Sequence, residues 1–347
     1  MDVQPLPAPP DPLAAPPLNW AIIGTGGIAT RFATEIPALT RSRILAVGSR
    51  TPARAAQFAA QHGVAKYGTY AEVVALPEVE AVYVATPHSE HRDHALLALQ
   101  AGKPVLVEKA FTRCRQQAEE VFTAAAAANL FVMEAMWTRF LPVAVAVRAL
   151  LAEGALGQLV AFSADHSQSL EHVERLVRPE LAGGALLDLG VYPIAFAHDL
   201  LGRPQAVAAL GQSLATGVDA TSGIVLQFSD AVAALTTSLR AAGAQGASLL
   251  GTAARLDIAG PFYRRTSFTV TGAGQTHQWQ EAAGPDTPAG RAQAAGVEGG
   301  FEYQAAEVAR CLAAGRTESA VMPWRATLEI MEIMDEVRRQ LGVEYPA

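Results

Sequence analysis

The chain has 347 residues, of which 50% are hydrophobic and 17% are charged, a composition typical of a well-packed folded protein and unlike that of a disordered one. Its 33 acidic and 26 basic side chains give a net charge of -7, with no cluster of Lys and Arg, so we expect no nucleic-acid partner. The two cysteines, Cys114 and Cys311, lie far apart and predict reduced thiols rather than a disulfide framework.

The first 18 residues form a proline-rich segment, MDVQPLPAPPDPLAAPPL. It has no basic start and no long apolar core, so the pattern predicts an extended or disordered arm rather than a signal peptide. No uncharged apolar run approaches the ~20 residues that a membrane-spanning helix needs. We therefore expect a cytoplasmic protein without a membrane partner.

Between residues 19 and 137, short apolar segments alternate with helix-like segments. Such alternation predicts βαβ units and a parallel sheet that is covered on both faces. The predicted domain is therefore of the dinucleotide-binding type. The predicted strands are NWAII, RILAVGSR, AVYVATP, PVLVEKA and FVMEAM.

Between residues 138 and 324 this alternation stops. One helix, Val143 to Leu151, is followed by strand-length segments separated by Gly, Asp and Ser turns, which predicts a mostly antiparallel sheet in a second, α/β domain. Two helices close the chain, and the second, over 325–347, has an apolar stripe at helical spacing. We expect this last helix to pack back on the body of the protein.

The segment GTGGIA, from Gly24 to Ala29, follows the first strand and precedes the first helix. In this context Gly24 permits the tight turn, Gly26 lets the backbone approach a pyrophosphate, and Ala29 is small where helix and strand pack. A plain glycine turn is the alternative. The cofactor-binding residues predicted here are Gly24, Thr25, Gly26, Gly27 and Ile28.

The second strand ends in AVGSR, where an NAD-binding domain would carry Asp or Glu for the ribose 2′-hydroxyl. Ser49 and Arg50 stand there instead, with Arg54 one turn later. No carboxylate is present to repel a 2′-phosphate, and Arg50 could pair with one bidentately, so the sequence favours NADP over NAD. The alternative is that both arginines belong to a solvated helix start.

The third strand ends in TPHSEH, at the edge where the crevice of a doubly wound sheet lies. Thr86, Pro87, His88 and His91 are predicted to pack against the nucleotide. The spacing of His88, His91 and His94 also suggests a metal site, but no neighbouring carboxylate or Cys completes one, so we expect no metal.

The fourth strand ends in VEKA, which places Glu108 and Lys109 at the same crevice. In the second domain, the segment GGALLDLGVYPI carries Asp188 and Tyr192 four residues apart, on one face if the segment is helical. A nearby ammonium lowers the pKa of a tyrosine and makes it a workable acid/base, so Lys109 and Tyr192 are a candidate pair. The alternative is a half-buried tyrosine with Asp188 capping local backbone.

Taken in order, GTGGIA, TPHSEH, EKA, MEAMWTRFLP, AGGALLDLGVYP and TGVD resemble the glucose–fructose oxidoreductase/inositol dehydrogenase/MocA family, and within it the dihydrodiol and NADP-dependent D-xylose dehydrogenase branch. The resemblance implies a Rossmann domain and a second α/β domain with an open, mostly antiparallel sheet, one face of which commonly forms a homodimer. It implies that Lys109 and Tyr192 are catalytic and that Asp188 binds or orients substrate. It also implies cofactor contacts by Arg175, Trp137 and Arg139.

Two positions depart from the family pattern. Ala110 replaces the proline that usually follows the lysine, and a cis bond costs roughly 2–3 kcal/mol more before Ala than before Pro. Tyr192 stands where the inositol branch has histidine, which indicates a sugar or diol substrate. The sequence thus predicts an NADP-dependent dehydrogenase, NAD being the second option. A non-catalytic NADP-binding regulatory protein and a sugar–sugar oxidoreductase with tightly bound cofactor are the alternatives.

Overall fold

Residues 6–346, which a computed structural model describes, contain fourteen β-strands and ten α-helices. The strands are β1 (Asn19–Ile23), β2 (Arg43–Gly48), β3 (Lys66–Gly68), β4 (Ala81–Val84), β5 (Val105–Glu108), β6 (Val132–Ala135), β7 (Leu159–Ser167), β8 (Ala206–Ser213), β9 (Asp219–Gln227), β10 (Val232–Ser238), β11 (Ala247–Gly251), β12 (Arg255–Ile258), β13 (Ser267–Gly272) and β14 (Gln275–Gln280). The helices are α1 (Gly27–Leu39), α2 (Pro52–His62), α3 (Tyr70–Val74), α4 (His91–Gln100), α5 (Arg115–Ala128), α6 (Pro142–Ala152), α7 (Val191–Leu201), α8 (Pro288–Ala294), α9 (Phe301–Ala313) and α10 (Trp324–Leu341).

The first six strands form one parallel sheet in the order β3-β2-β1-β4-β5-β6. The order reverses between β1 and β4, and this switch point is where doubly wound sheets open a crevice at the carboxyl ends of their strands. The predicted parallel sheet is therefore confirmed. The short elements β3 and α3 were not predicted, because three and five residues do not establish a periodic pattern.

The last eight strands form a second sheet in the order β14-β13-β12-β11-β7-β10-β9-β8. Strands β7 and β10 pair in parallel, and the other neighbouring strands pair antiparallel. One face is buried under α7, where the rings of Phe162 and Phe196 lie 5.9 Å apart. The opposite face is open and carries Leu210 and Val225. The predicted fold class, a Rossmann domain plus an α/β domain with an open, mostly antiparallel sheet, is confirmed.

By their packing the described residues divide into two units, which differ in part from the predicted domains. The nucleotide unit comprises residues 10–137 and 283–328, and the sheet unit comprises 6–9, 138–282 and 329–346. Residues 283–324, assigned by the sequence to the second domain, pack with the first, because the Glu35 carboxylate of α1 accepts the backbone N–H groups of Gly299 and Phe301. The boundary between the units falls within α10, so the terminal helix belongs to both.

The proline-rich arm also differs from its prediction. Its first five residues lie outside the described part of the chain, but Pro12–Ala14 form a 3-10 turn with Pro12 buried. Arg310 donates to the carbonyl oxygens of Pro10 and Asp11, each at 3.1 Å, and Arg291 pairs with the Asp11 carboxylate. Two arginines of the nucleotide unit therefore hold the second half of the arm in a defined conformation.

The helical stretch Pro179–Leu201 is long and apolar enough, by length and composition, to cross a membrane. Its mean hydropathy is 1.3, and 94% of the apolar window is buried inside the protein. Asp188 lies inside this stretch, so the stretch is not an uncharged apolar run. Core helices of soluble proteins meet the same criterion, so the stretch is weak support for a membrane span.

Candidate active site

The loop after β1 has the shape that a dinucleotide requires. Gly24 has a φ of +114°, and a Cβ there would lie 2.5 Å from the carbonyl oxygen of Ala85, so only glycine fits. At Gly26 and Gly27 an added Cβ would meet no protein atom within 4 Å. Helix α1 starts at Gly27 with Gly26 as its N-cap, so its first backbone N–H groups face this open space. The loop therefore leaves room for an anion at the N-terminus of α1, where backbone N–H groups could bind it.

The residues after β2 present positive charge at the same edge of the sheet. Ser49 is buried, and its backbone N–H donates to Gly68 at 3.1 Å, while Arg50 and Arg54 are exposed. Burial raises the pKa of Tyr70, whereas a backbone hydrogen bond from Arg50 and the Arg50 charge lower it. Tyr70, which was not predicted from the sequence, therefore lies beside Arg50, the residue predicted to pair with a 2′-phosphate.

The residues after β4 hold one another in place. The ring of His94 lies edge-on to Tyr70 at 4.4 Å, and its Nδ1 is 3.0 Å from the Thr86 hydroxyl oxygen. The ring of His88 is buried 5.6 Å from that of His91. No group of three His, Cys, Asp or Glu side chains that could hold a metal ion occurs between residues 6 and 346.

His91 has a different environment from the predicted one. Its side chain is 1% exposed, with Nε2 2.8 Å from the Thr86 carbonyl oxygen and Nδ1 2.9 Å from the Ala110 carbonyl oxygen. Burial lowers the pKa of this histidine to about 4, more strongly than the two carbonyl acceptors raise it. Both ring nitrogens thus face backbone, and His91 joins the end of β4 to the residue after Lys109 rather than facing a ligand.

Glu108 is the last residue of β5, and Lys109 follows it. Both residues lie on the same sheet edge as the glycine loop, because β1 and β5 are parallel strands of one sheet. Glu108 is buried and accepts hydrogen bonds from the Tyr83 hydroxyl and from the Lys109 backbone N–H, the latter at 3.3 Å. Burial raises the pKa of Glu108, while the Tyr83 hydroxyl and the Lys109 charge lower it. The Lys109–Ala110 peptide bond is cis, although Ala110 replaces the usual proline.

Three residues expected to contact the cofactor have protein partners in the structure. Trp137 is buried against the Arg31 guanidinium, which lies 4.6 Å from the ring centroid. Arg139 is buried, with Nη2 2.9 Å from His198 Nδ1 and Nη1 3.7 Å from the Asp199 carboxylate. The third residue is Arg175, whose Nη1 donates to Asp188 Oδ1 at 3.1 Å.

Asp188 and Tyr192 lie on a continuous helical segment of the sheet unit, as the sequence predicted, but its first turn is π-helical over Leu186–Gly190. Both side chains are buried. The Tyr192 ring contacts those of His166 and Tyr263, at centroid distances of 5.1 Å and 5.2 Å. Residues near Tyr192 therefore form an aromatic and polar cluster.

Most of this cluster was not predicted from the sequence. The His166 and Tyr263 rings stack at 4.1 Å, and Gln168 Nε2 lies 2.9 Å from His166 Nε2 and 3.1 Å from the Tyr263 hydroxyl oxygen. The signal that could have identified it is the polar run DHSQ, Asp165 to Gln168, at the end of an otherwise apolar strand. The nucleotide unit thus carries an open glycine loop, two exposed arginines and a lysine, and the sheet unit carries a carboxylate, a tyrosine and a histidine.

Two family models match the chain. Residues 18–136 match the oxidoreductase family with an NAD-binding Rossmann fold, and residues 144–257 match the GFO/IDH/MocA C-terminal domain. This chain belongs to the GFO/IDH/MocA oxidoreductase family. The predicted family is thereby confirmed, and the predicted type of cofactor, a nicotinamide dinucleotide, agrees with the family's Rossmann fold.

The relatives cover nearly the whole chain. It is 36% identical to a D-xylose 1-dehydrogenase (NADP+) of Hypocrea jecorina, over 95% of this chain and 93% of that one. It is 36% identical to a trans-1,2-dihydrobenzene-1,2-diol dehydrogenase of Macaca fuscata fuscata, over 95% and 98% of the two chains. The crystal structure of a 3-ketoreductase from Actinomadura kijaniata in complex with NADP and TDP-benzene superposes with a TM-score of 0.81 at 25% identity, covering 96% of this chain and 100% of that chain.

Proposed function

We propose that this protein is an NADP-dependent dehydrogenase that oxidises a hydroxyl carbon of a sugar, a polyol or a cyclic diol, and that it catalyses the reverse reduction. The observation that carries the proposal is the position of Lys109, directly after β5 on the sheet edge that also holds the glycine loop. The two relatives at 36% identity, which are named for D-xylose and dihydrobenzenediol substrates, support the substrate class.

The nucleotide unit fits NADP. The open space at Gly26 and Gly27 leaves room for the pyrophosphate at the N-terminus of α1, and the Arg50 guanidinium would pair with the 2′-phosphate. Ser49 and Arg54 flank that charge. Thr86, Pro87 and His88 would line the nicotinamide side of the crevice. When bound, the nicotinamide supplies the hydride acceptor for the oxidation and the hydride donor for the reduction.

The acid/base chemistry is assigned to Lys109, Tyr192 and Asp188. As the substrate C–H bond breaks and its electron pair leaves as hydride, the O–H proton passes to the phenolate oxygen of Tyr192, leaving a carbonyl product. The ammonium of Lys109 stabilises that phenolate before the transfer. Asp188, held by Arg175 at 3.1 Å, accepts a hydrogen bond from a second substrate hydroxyl.

The test is a panel of aldoses, polyols and trans-dihydrodiols, each offered with NADP and with NAD, with nicotinamide absorbance as the readout. We expect reduction of NADP with at least one sugar or diol and slower reduction of NAD. NADP binding without turnover of any substrate would indicate a regulatory protein instead. Cofactor that co-purifies, resists dialysis and cycles between two sugars would indicate a sugar–sugar oxidoreductase.

The catalytic assignment is tested with K109A and Y192F. Each should lower kcat by at least about 10²-fold, because general acid–base groups contribute that much, while NADP binding stays near the wild-type level. The matched controls are K66A and Y67F, which alter a partly exposed lysine paired with Glu78 and an exposed tyrosine, both on β3, and should leave turnover unchanged. Near-wild-type turnover in K109A would contradict the mechanism.

We also propose that the chain is a homodimer through the open face of its second sheet. Four large apolar side chains lie on that face, and the β7–β10 register places small and uncharged residues such as Ala161 and Ala234 between them. An exposed face that carries several large apolar side chains suits a self-complementary, two-fold interface. The four side chains, with their exposed fractions, are Leu210 (85%), Val225 (44%), Val232 (45%) and Leu250 (41%).

The dimer is tested by light scattering on the wild type and on a Leu210→Glu/Val225→Glu double variant. We expect a dimer for the wild type and a monomer for the variant, because two opposed carboxylates per copy would be buried without partners. A wild-type monomer would overturn the proposal. We further propose a cytoplasmic location, supported by the free thiols of Cys114 and Cys311; subcellular fractionation would test it.

A further inference from the structure

The segment that carries Asp188 and Tyr192 contains a backbone acceptor that lacks the regular α-helical donor. The carbonyl oxygen of Leu189 would bond the N–H four residues later in a regular α-helix, but that residue is Pro193, which has none. Leu189 and Pro193 are both buried, where an unpaired carbonyl is costly. Within the segment the Val191 N–H, two residues on, also points to this oxygen, and the carbonyl can accept a second hydrogen bond from a donor on another element.

His166, at the end of β7, is that donor. Its Nδ1 lies 3.0 Å from the Leu189 carbonyl oxygen, which can only accept, so Nδ1 carries the proton. Its Nε2 lies 2.9 Å from the amide nitrogen of Gln168, which can only donate, so Nε2 is the acceptor. These two contacts select one neutral tautomer of the ring.

A second series of hydrogen bonds starts at Gln168 and leads away from the ring. The Gln168 amide also donates to the Tyr263 hydroxyl at 3.1 Å, and that hydroxyl donates to Gln245 Oε1 at 3.0 Å. Gln245 in turn donates to the Ser167 carbonyl oxygen at 3.2 Å. Each polar atom in this network has a consistent donor or acceptor role, which fixes the orientation of the His166 ring against Tyr263 and Tyr192.

We propose that His166 is a positioning residue: by donating from Nδ1 to Leu189 it sets the backbone of the π-helical turn and thereby the directions of Asp188 and Tyr192. The inference rests on the proposed function, because it assigns His166 an effect on turnover through those two side chains. The His166 ring also contacts the Tyr192 ring edge-on, at 5.1 Å between centroids, which limits the directions that the tyrosine side chain can take.

The experiment compares H166F with H166N. Asparagine places its amide nitrogen where Nδ1 stands and keeps the donor to Leu189, whereas phenylalanine keeps the ring and removes the donor. We expect H166F to lower kcat by about 10²-fold, the cost of a small misplacement of catalytic groups, and H166N by no more than about threefold, with NADP affinity unchanged in both. Equal loss in the two variants overturns the proposal.

A double-variant cycle supplies the second readout. Pro193→Ala provides the missing N–H to the Leu189 carbonyl, so H166F should lower kcat much less in P193A than in the wild type. An unchanged penalty overturns the proposal. If H166F does not fold, H166M takes its place in both comparisons.

Failure of the proposed function is recognised separately. If the wild type reduces no NADP with any sugar or diol, that function fails, and positioning is then read from the ¹³C-tyrosine resonance of Tyr192, assigned through Y192F. The resonance should shift in H166F and stay near its wild-type position in H166N. A resonance that moves equally in both variants, or in neither, overturns the positioning role.

Discussion

The Asp219 carboxylate accepts a hydrogen bond of 2.6 Å from the backbone N–H of Leu186, the first residue of the π-helical turn that leads to Asp188 and Tyr192. Asp219 is buried, and a Cβ on Gly184 would lie 2.1 Å from its Oδ1, so the backbone closes directly over the carboxylate. Asp219 bonds the first residue of the turn and His166 bonds Leu189 near its end. The two side chains therefore anchor the same segment.

Burial raises the pKa of Asp219 from 3.8 to about 6, against the lowering effect of its backbone hydrogen bonds. Between these two values the folded protein retains a proton that the unfolded chain has lost. The stability that this group contributes is therefore complete below about pH 4 and is lost as the pH rises through about 6. The shift corresponds to on the order of 3 kcal/mol.

The change that tests this relationship is D219N, which cannot ionise but keeps an oxygen for the Leu186 N–H. The free energy of unfolding of both proteins is measured by chemical unfolding from pH 4 to 8. Relative to D219N, the wild-type value should fall as the pH rises to about 6. Above that pH the difference between the two proteins should stay constant. A difference that does not depend on pH would contradict the prediction.

His91 should show the opposite dependence. Burial lowers its pKa from 6.5 to about 4, so between those values the unfolded chain binds a proton that the folded protein does not. The stability contributed by the neutral ring is present above about pH 6.5 and is lost as the pH falls through about 4. Relative to H91N, the wild type should gain roughly 3 kcal/mol over this range, measured by the same unfolding curves. Parallel curves for the two proteins would count against it.

Much of the nucleotide unit could be predicted from the sequence because its determinants are local. Gly24 must adopt a positive φ within a turn of a few residues, and Ser49 and Arg50 follow directly from the end of β2. The position of Lys109 after β5 likewise requires only a strand end. Each of these features depends on a short segment and on the regular βαβ order.

The features that could not be predicted depend on contacts between distant segments. Nothing near Arg175 indicates that its partner is Asp188, and nothing near Arg139 indicates burial against His198. The bond from His166 to Leu189 joins residues on different elements. Periodicity locates helices and strands, but it does not specify which polar side chain of one element meets which backbone group of another.

The glycine loop offers a matched pair of substitutions. G24A places a Cβ 2.5 Å from the Ala85 carbonyl oxygen at a φ of +114°, so we expect destabilisation of about 1–3 kcal/mol. G27A meets no protein atom within 4 Å at the start of α1, so the protein should fold with equal or slightly higher stability. Its methyl group would occupy the space assigned to the pyrophosphate, and NADP affinity should fall. Unfolding curves and fluorescence titration measure the two effects, and undiminished NADP binding by G27A would exclude this assignment.

Arg50 decides between the two nicotinamide cofactors. R50A removes the exposed guanidinium after β2, and we expect the Kd for NADP to rise by about 10- to 100-fold, as for loss of a charged hydrogen bond of roughly 1.5–3 kcal/mol. The Kd for NAD should change little, because NAD has no 2′-phosphate for this group to bind. R41A, which removes an exposed arginine ahead of the amino end of β2, should leave both constants unchanged. Equal losses for NADP and NAD in R50A, or equal effects of R50A and R41A, would show that Arg50 does not recognise the 2′-phosphate.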